Sequence, residues 1–187
     1  WLDNKKPEPI IDVFKIFHPM MLSNPINEHE DFLTLNHKDF VAEWKWDGIR
    51  VQIIILNSKV NLFSRTGDNI THSFPDIELF SEKNVVIDGE LLIGKDYIPS
   101  SFNDLQQRLN RKKVSNKIVE QFPAFIKVYD IIFHDNKDLR DLTFLNRKKI
   151  LKEWLKFNPN EKIDLSKEII FKNWNHLKQL KQKFTKN

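Results

Sequence analysis

Apolar and polar residues between positions 40 and 64 alternate in part with a period of two, which is typical of half-buried β-strands. The segment FVAEWKW (40–46) shows this alternation first. The following runs IRVQIIIL (49–56) and KVNLFS (59–64) are rich in β-favouring residues, and only Asn57-Ser58 separates them. A link of two residues favours a tight β-hairpin. We therefore predict three consecutive strands up to residue 64.

The second half of the chain combines further strands with amphipathic helices. VVIDGELLI (85–93) and AFIKVYDIIF (124–133) are too rich in β-branched and aromatic residues to favour helix. Ser101 and Asp104 resemble a capping box, and apolar residues recur at helical spacing in the segments 102–122, 145–157 and 174–184. We interpret residues 158–168 as a loop. Strands first, then strands alternating with helices, predict an antiparallel-rich α+β or mixed α/β core.

The composition is that of a folded domain rather than a disordered chain, since 40% of the 187 residues are hydrophobic and 12% are aromatic. Residues 1–39 carry four prolines and little periodicity, so we predict an irregular lead-in at 1–39 and the folded domain at 40–187. No apolar run approaches the ~18 residues of a membrane helix, so we expect a soluble, cytoplasmic protein. The absence of cysteine excludes disulfides and thiolate nucleophiles.

Charge is distributed unevenly along the chain. Residues 1–100 carry 10 Lys and Arg against 16 Asp and Glu, whereas residues 101–187 carry 20 against 10. The positive residues of the second half cluster at 108–117, 147–152 and 178–186. Such clusters suit a polyanion such as nucleic acid, but solvent-exposed faces of amphipathic helices explain them equally simply. Charge alone leaves both interpretations open.

Three of the four glycines lie in short clusters of charge: KWDGIR (45–50), SRTGD (64–68) and IDGEL (87–91). Glycine is used where φ is positive or where another group must approach the main chain closely. These clusters are therefore candidate ligand-facing turns, and ordinary strand ends are the alternative.

Lys45 is the first candidate for chemistry, because it stands between Trp44 and Trp46 and close in sequence to Arg50. Aromatic bulk and a nearby cation favour the neutral amine of a lysine, which is its nucleophilic form. A surface lysine whose stem covers apolar atoms is the plain alternative.

Carboxylates and arginines complete the candidate set. Glu43, Asp47 and Glu90 could hold a hard cation such as Mg²⁺, and Arg50 and Arg65 could clamp phosphate oxygens. A lysine nucleophile with these groups favours phosphoryl or nucleotidyl transfer over acyl transfer, which would use a Ser/His or Cys/His pair. The usual glycine-rich phosphate loops are absent from the sequence.

The motifs EWKWDGIR, SRTGD, IDGEL and KVYDIIF, in this order and at these separations, resemble the adenylation domain of ATP-dependent DNA ligases, and most closely a bacterial subgroup. The resemblance extends from about His18 to the C-terminus. It implies an α+β nucleotidyltransferase-like core, related to the ATP-grasp type, with two antiparallel β-sheets and flanking helices. RNA ligases and mRNA capping enzymes share KxDGxR, so the order of all four motifs carries the resemblance.

The resemblance implies a reaction and its cofactors. Lys45 would attack the α-phosphate of ATP, with Mg²⁺ as cofactor, and form lysyl-AMP; Glu43 would lie by the adenine. AMP would then pass to the 5′-phosphate of nicked duplex DNA, and the 3′-hydroxyl would displace it to seal the strand. We therefore expect a role in DNA repair, recombination or replication, for a bacterial protein that acts as a monomer.

The resemblance also assigns the remaining site residues. Arg50 and Arg65 would contact the ribose and phosphates of the nucleotide or DNA. Glu90 would meet the ribose hydroxyl or the metal, and Tyr129 would stack on the adenine ring, a contact of ~1 to 3 kcal/mol per base.

The sequence departs from the family pattern at both ends. In the family, an EGxxxK motif, a further lysine-rich motif and an OB-fold domain follow the position of Tyr129, and this sequence contains none of them. At its other end, Trp1 stands where an initiator methionine would be. We therefore expect a truncated domain whose own activity is open. The alternatives are a catalytically dead remnant that binds ATP or DNA, and a nucleotidyltransferase of the RNA ligase or capping type.

Overall fold

The computed structural model describes residues 17–109, 111 and 113–184. They form two compact units. The larger unit contains residues 17–20 and 47–165, and the smaller unit contains residues 21–46 and 166–184. Residues 1–16 of the predicted lead-in and part of the predicted basic clusters lie outside the described residues. The predicted boundary between residues 39 and 40 stays a prediction.

Strands and helices mix along the described chain, which confirms the predicted α+β class. In chain order they are α1 (Asp31–Thr34), β1 (Ala42–Glu43), β2 (Ile49–Leu56), β3 (Lys59–Ser64), β4 (Val85–Lys95), β5 (Ile98–Pro99), α2 (Phe102–Gln106), α3 (Asn116–Gln121), β6 (Ala124–His134), β7 (Lys137–Asp138), α4 (Phe144–Phe157), β8 (Ile163–Leu165), β9 (Glu168–Ile169) and α5 (Trp174–Phe184).

The larger unit is built on a seven-stranded sheet in the order β3-β2-β4-β6-β7, with β5 beside β4 and β8 beside β6. All pairs are antiparallel except β6 with β8. The predicted hairpin is confirmed: Asn57 (φ 49°) and Ser58 (φ 61°) both adopt the left-handed conformation that a type I′ turn requires. This turn fixes the register of the two strands, in which Val51 lies opposite Ser64.

One face of this sheet carries the main hydrophobic core. Alternate residues of the central strands point to it, as the period of two requires, and the helices α2 and α4 contribute apolar side chains. Its fully or almost fully buried members include Val51, Ile53, Ile55, Ile87, Leu91, Leu105, Ile126, Val128, Leu151 and Trp154. The alternate residues on the opposite face include buried polar side chains, and these form the candidate site.

The smaller unit pairs β1 with β9 in an antiparallel two-stranded sheet. Its other contacts centre on Trp174 of α5, whose ring stacks on Phe32 at 4.5 Å between centroids. The Trp174 indole N–H donates to the Leu35 carbonyl at 3.0 Å. Lys178 and Lys181 both contact the Glu28 carboxylate, at 3.1 and 3.2 Å.

One strand prediction and one loop prediction are wrong. The segment 40–46 forms a strand only over Ala42–Glu43, because Trp46 leaves the alternation and donates from its indole N–H to the Ser166 hydroxyl at 3.1 Å. The segment 158–168 is not simply a loop, since β8 lies within it and pairs with β6. Three residues are too few to show a period of two.

The helix predictions are largely confirmed. The structure places helices at Phe144–Phe157 and Trp174–Phe184, and the Ser101 side chain caps α2 by accepting from Asp104 N–H. The predicted segment 102–122 contains two short helices instead of one, α2 and α3. No helix among the described residues is long and apolar enough to cross a membrane.

A β-bulge interrupts the pairing of β4 with β6. Asp88 lies opposite Asp130, but Gly89 lies opposite Val128, which leaves Tyr129 as the extra residue of the bulge. A Cβ on Gly89 would lie 2.7 Å from Ile126 Cγ2 and 3.0 Å from the Lys127 carbonyl oxygen. Glycine is therefore required here by the close approach of β6. The sequence suggested that a ligand could approach the main chain at Gly89, but atoms of Ile126 and Lys127 lie there instead.

We predict that Gly89→Ala lowers the free energy of unfolding by about 1 to 3 kcal/mol, because the added methyl group overpacks the bulge. Urea unfolding of both proteins measures the difference. Lys59→Ala, at an exposed position of β3, is the matched control and is expected to change stability by less than about 0.5 kcal/mol. Equal unfolding midpoints for Gly89→Ala and the unchanged protein would show that β6 does not need glycine opposite its bulge.

Candidate functional site

An ion pair between the partly exposed Arg50 and the buried Asp88 lies on the polar face of the main sheet. Arg50 Nη2 contacts Asp88 Oδ2 at 2.7 Å, and the Asp88 side chain is only 1% exposed. Asp88 Oδ1 also accepts a hydrogen bond from Gln52 Nε2 at 3.1 Å. Gln52 in turn accepts from the His18 N–H at 2.7 Å and donates to its carbonyl at 3.2 Å. Asp88 of β4 and Gln52 of β2 therefore hold the Arg50 guanidinium in place through a chain of hydrogen bonds.

Burial controls the electrostatics of this pair. It raises the pKa of Asp88, and the hydrogen bonds from Arg50 and Gln52 offset only part of that effect. Burial is the largest single effect on Arg50 and acts against its charged form, but the hydrogen bond to Asp88 and the nearby Tyr129, Asp88 and Glu90 together outweigh it and raise the pKa of the guanidinium. Arg50 is therefore a permanent cation beside a carboxylate that is costly to keep charged.

Glu90 lies directly opposite Arg50 in the β2–β4 ladder. Its carboxylate accepts a hydrogen bond from the Gly48 N–H at 3.2 Å. A Cβ on Gly48 would collide with the Leu91 carbonyl oxygen and lie 3.1 Å from Glu90 Cγ. Gly48 therefore lets the chain before β2 approach β4 closely enough for its amide to bind Glu90.

Tyr129 completes this group. Its ring centroid lies 5.8 Å from Arg50 Cζ, within the range of a cation–π contact. Burial raises the pKa of the phenol, and the nearby carboxylates of Asp88 and Glu90 add to the shift, so Tyr129 is neutral at ordinary pH. The side chain is only half-buried. A neutral aromatic ring with part of its surface accessible is suited to stacking on a planar ligand.

Next to Arg50, Glu90 and Tyr129, residues of alternating charge lie opposite one another on strands β4, β6 and β8. Glu90 lies opposite Lys127 of β6, and Lys127 lies opposite Asp164 of β8. Lys127 forms a salt bridge with Asp164, and its ammonium lies 5.4 Å from the Tyr97 ring centroid.

Three polar residues of this face were not predicted from the sequence: Asp88, Gln52 and Lys127. The period of two within IDGEL was a usable signal for Asp88, which precedes Glu90 by two residues.

Of the six site residues that the family resemblance assigns, the larger unit brings together three: Arg50, Glu90 and Tyr129. Asp47, the further candidate for binding a cation, is exposed in the same unit. Arg65 is exposed and directly follows Ser64, which pairs with Val51, so it lies at the same end of the hairpin as Arg50.

The other two predicted residues belong to the smaller unit. Glu43 is the second residue of β1 and lies opposite Glu168. Lys45 is exposed, and the next residue, Trp46, is held by its hydrogen bond to Ser166.

No group of three or more His, Asp or Glu residues in the described part of the chain is arranged to hold a metal ion. A separate cavity of about 870 Å³ lies in the larger unit, between the segment 79–83, the β6–β7 turn and the C-terminal half of α4. None of the six predicted residues lines it.

The seven-stranded sheet with its flanking helices defines an α+β domain. The chain belongs to the ATP dependent DNA ligase domain family, which matches residues 20–187. It is 36% identical over 133 residues to the DNA ligase of Archaeoglobus fulgidus, an overlap of 69% of this chain and 23% of that protein. The chain spans about a quarter of the length of the curated relatives it matches.

Solved structures show the same fold at low sequence identity. A Lig E DNA ligase structure aligns with 91% of this chain and 58% of its own, with a TM-score of 0.63 and 16% identity. The mycobacterial DNA ligase D complexed with ATP and MES aligns with 76% of this chain and 44% of its own, with a TM-score of 0.59 and 18% identity. The predicted nucleotidyltransferase-like fold is thus confirmed.

We predict that the stability of the unchanged protein relative to Asp88→Asn falls as the pH rises above about 4, the unfolded pKa of Asp. The raised pKa of Asp88 means that the folded state binds more protons than the unfolded state in this window, so the slope is negative, at most about 1.4 kcal/mol per pH unit.

Urea unfolding between pH 4 and 7 measures this difference, with Asp141→Asn at an exposed position as the control. A difference that stays flat or grows with pH would mean that the ion pair with Arg50 overcomes the effect of burial.

Proposed function

We propose that this chain supplies the adenylation step of an ATP-dependent DNA ligase and that Lys45 is the residue that receives AMP. The observation that carries the proposal is a link between two motifs. Gly48 and Arg50, from the motif that contains Lys45, contact the carboxylates of Glu90 and Asp88, both from IDGEL. The family membership supports the same assignment.

The proposed reaction begins at the amine of Lys45. The neutral Nζ attacks the α-phosphorus of ATP, a nitrogen–phosphorus bond forms, the bond to the bridging oxygen breaks, and pyrophosphate leaves. The amine loses its proton to solvent. AMP then moves from Lys45 to the 5′-phosphate at a nick in duplex DNA, and the 3′-hydroxyl displaces AMP to seal the strand. The exposure of Lys45 is consistent with a nucleophile that meets two substrates in turn.

The polar face of the larger unit is the proposed nucleotide platform. Tyr129 stacks on the adenine, Arg50 and Arg65 contact ribose and phosphate oxygens, and Glu90 accepts from a ribose hydroxyl. Glu43 is proposed to lie by the adenine. Arg50 keeps its charge at any working pH, because the pKa of a guanidinium is far above neutrality and its surroundings beside Asp88 raise it further. The ATP found with mycobacterial DNA ligase D supports ATP as the nucleotide.

Glu90 fits a role in holding Mg²⁺. Magnesium in nucleotide sites is bound by one or two carboxylates and by substrate phosphates rather than by a cage of protein ligands. The described residues offer no such cage, and Glu90 is a half-buried carboxylate next to the cationic Arg50. When bound, the ion would offset the negative charge of the phosphates.

The proposed macromolecular partner is nicked duplex DNA. The second half of the chain carries a net charge of +10, from 20 positive and 10 negative residues, which suits a phosphate backbone. A bacterial cytoplasmic location and a monomeric state remain predictions.

Labelling with α-³²P-ATP and Mg²⁺ tests the nucleophile. We predict acid-labile label on the unchanged chain and none on Lys45→Ala, because the phosphoramidate bond forms only at that amine. Lys38→Ala, an exposed lysine of the same unit, is the control and is expected to label normally. A chain that takes no label but binds nicked duplex with steep salt dependence would favour the inactive binding remnant, and label that survives Lys45→Ala would contradict the assignment.

Tyr129 variants test the platform. We predict that Tyr129→Ala weakens ATP binding by about 1 to 3 kcal/mol, the contribution of one aromatic stack on a base, whereas Tyr129→Phe keeps the ring and binds almost normally. Isothermal titration calorimetry measures both dissociation constants. Equal binding by the Ala and Phe variants would remove Tyr129 from the nucleotide site.

A further inference from the structure

Helix α4 places two buried cations beside the residue proposed to stack on adenine. Arg147 is 5% exposed and Lys148 is 1% exposed. Arg147 forms a two-pronged contact with the Asp130 carboxylate, with Nε to Oδ1 at 2.8 Å and Nη2 to Oδ2 at 2.9 Å. Lys148 Nζ donates to the main-chain carbonyl of Tyr129 at 3.3 Å. Consecutive residues of the helix thus hold consecutive residues of β6.

Stability alone gives no reason for this arrangement. The helix begins after Thr143, whose side chain accepts from Asn146 N–H, so both cations lie in the N-terminal half of α4, where the helix dipole gives them no favourable interaction. Burying a charge is costly even when it is paired, and apolar residues of similar volume often serve as well or better. A role in fixing local geometry accounts for such a placement.

The local geometry that these two cations fix is the β-bulge at Tyr129. A bulge leaves an extra residue outside the regular ladder and re-aims its side chain. Lys148 supplies a donor to the carbonyl of that residue, and Arg147 fixes the next side chain, Asp130. Asp130 Oδ1 also accepts from the Ile131 N–H at 2.9 Å, which holds the strand immediately after the bulge.

We propose that Arg147 and Lys148 are positioning residues for nucleotide binding: from α4 they hold the Tyr129 bulge so that the aromatic ring is preorganised against the adenine. This inference rests on the proposed function. Arg147 and Lys148 would not touch the nucleotide and would act only through Tyr129. It follows that their removal affects recognition of the base and not of the phosphates.

The experiment compares ATP with inorganic tripolyphosphate as ligands of the full chain. Lys148→Met is expected to weaken ATP binding about tenfold, within the range of one lost base stack, and to leave the affinity for tripolyphosphate unchanged. Lys148→Arg keeps a donor and is expected to restore ATP binding. Lys149→Ala, the exposed neighbour on the same helix, is the matched control and is expected to bind both ligands normally.

A double-mutant cycle separates positioning from general destabilisation. In the Tyr129→Ala background, Lys148→Met is expected to cause no further loss of ATP affinity. Full additivity of the two changes, or an equal loss of tripolyphosphate binding, would overturn the inference. Arg147→Lys provides a second test, since it keeps the positive charge and loses the two-pronged contact with Asp130. Thermal unfolding shows whether each variant is folded.

The outcomes distinguish the two proposals. An unchanged chain that binds ATP and accepts label, together with a Lys148→Met variant that binds ATP normally, would overturn only the positioning role. An unchanged chain that binds no ATP would overturn the proposed function and the positioning role together.

Discussion

The arrangement of the candidate site depends on the ion pair between the partly exposed Arg50 and the buried Asp88. A buried carboxylate needs an opposite charge close to it, because an unpaired buried charge is strongly unfavourable. Arg50 supplies that charge at 2.7 Å, and Gln52 donates to Asp88 from the adjacent strand. Asp88 is committed to this pair, and the Glu90 carboxylate of the same strand accepts a hydrogen bond from the Gly48 amide.

The hydrophobic core and the polar face are two sides of the same strands. The period of two sends Val51 and Ile53 to the core and Arg50 and Gln52 to the site. The bulge at Tyr129 is one of two points at which the β4–β6 register shifts, and it requires both the missing side chain of Gly89 and the close approach of β6. A packing constraint in the core therefore determines where an aromatic ring stands on the polar face.

Short-range patterns in the sequence predicted much of the fold. Asn57-Ser58 between two β-rich runs was sufficient for the hairpin, and helical spacing located α4 and α5. The misses concern features set by distant contacts. The strand at 40–46 ends early because Trp46 finds a partner 120 residues away, in Ser166, and β8 is defined by its pairing with β6.

The candidate site shows the same limit. The motifs identified Arg50, Glu90 and Tyr129, which the fold brings together, because those residues lie within recognisable local strings. Arg147 and Lys148 could not be identified, since charged residues in an amphipathic helix pattern are expected on the solvent-exposed face. Only the structure shows that both are buried against β6.

We propose that a nucleotide binds on the polar face of the main sheet, around Arg50, Glu90 and Tyr129. A crystal structure of this chain grown with ATP and Mg²⁺ tests it most directly. We expect the adenine ring to lie against Tyr129, with phosphate or ribose oxygens within hydrogen-bonding distance of Arg50. Electron density for the nucleotide in the cavity beside α4, between Lys83 and Phe157, with the Tyr129 face empty, would contradict it.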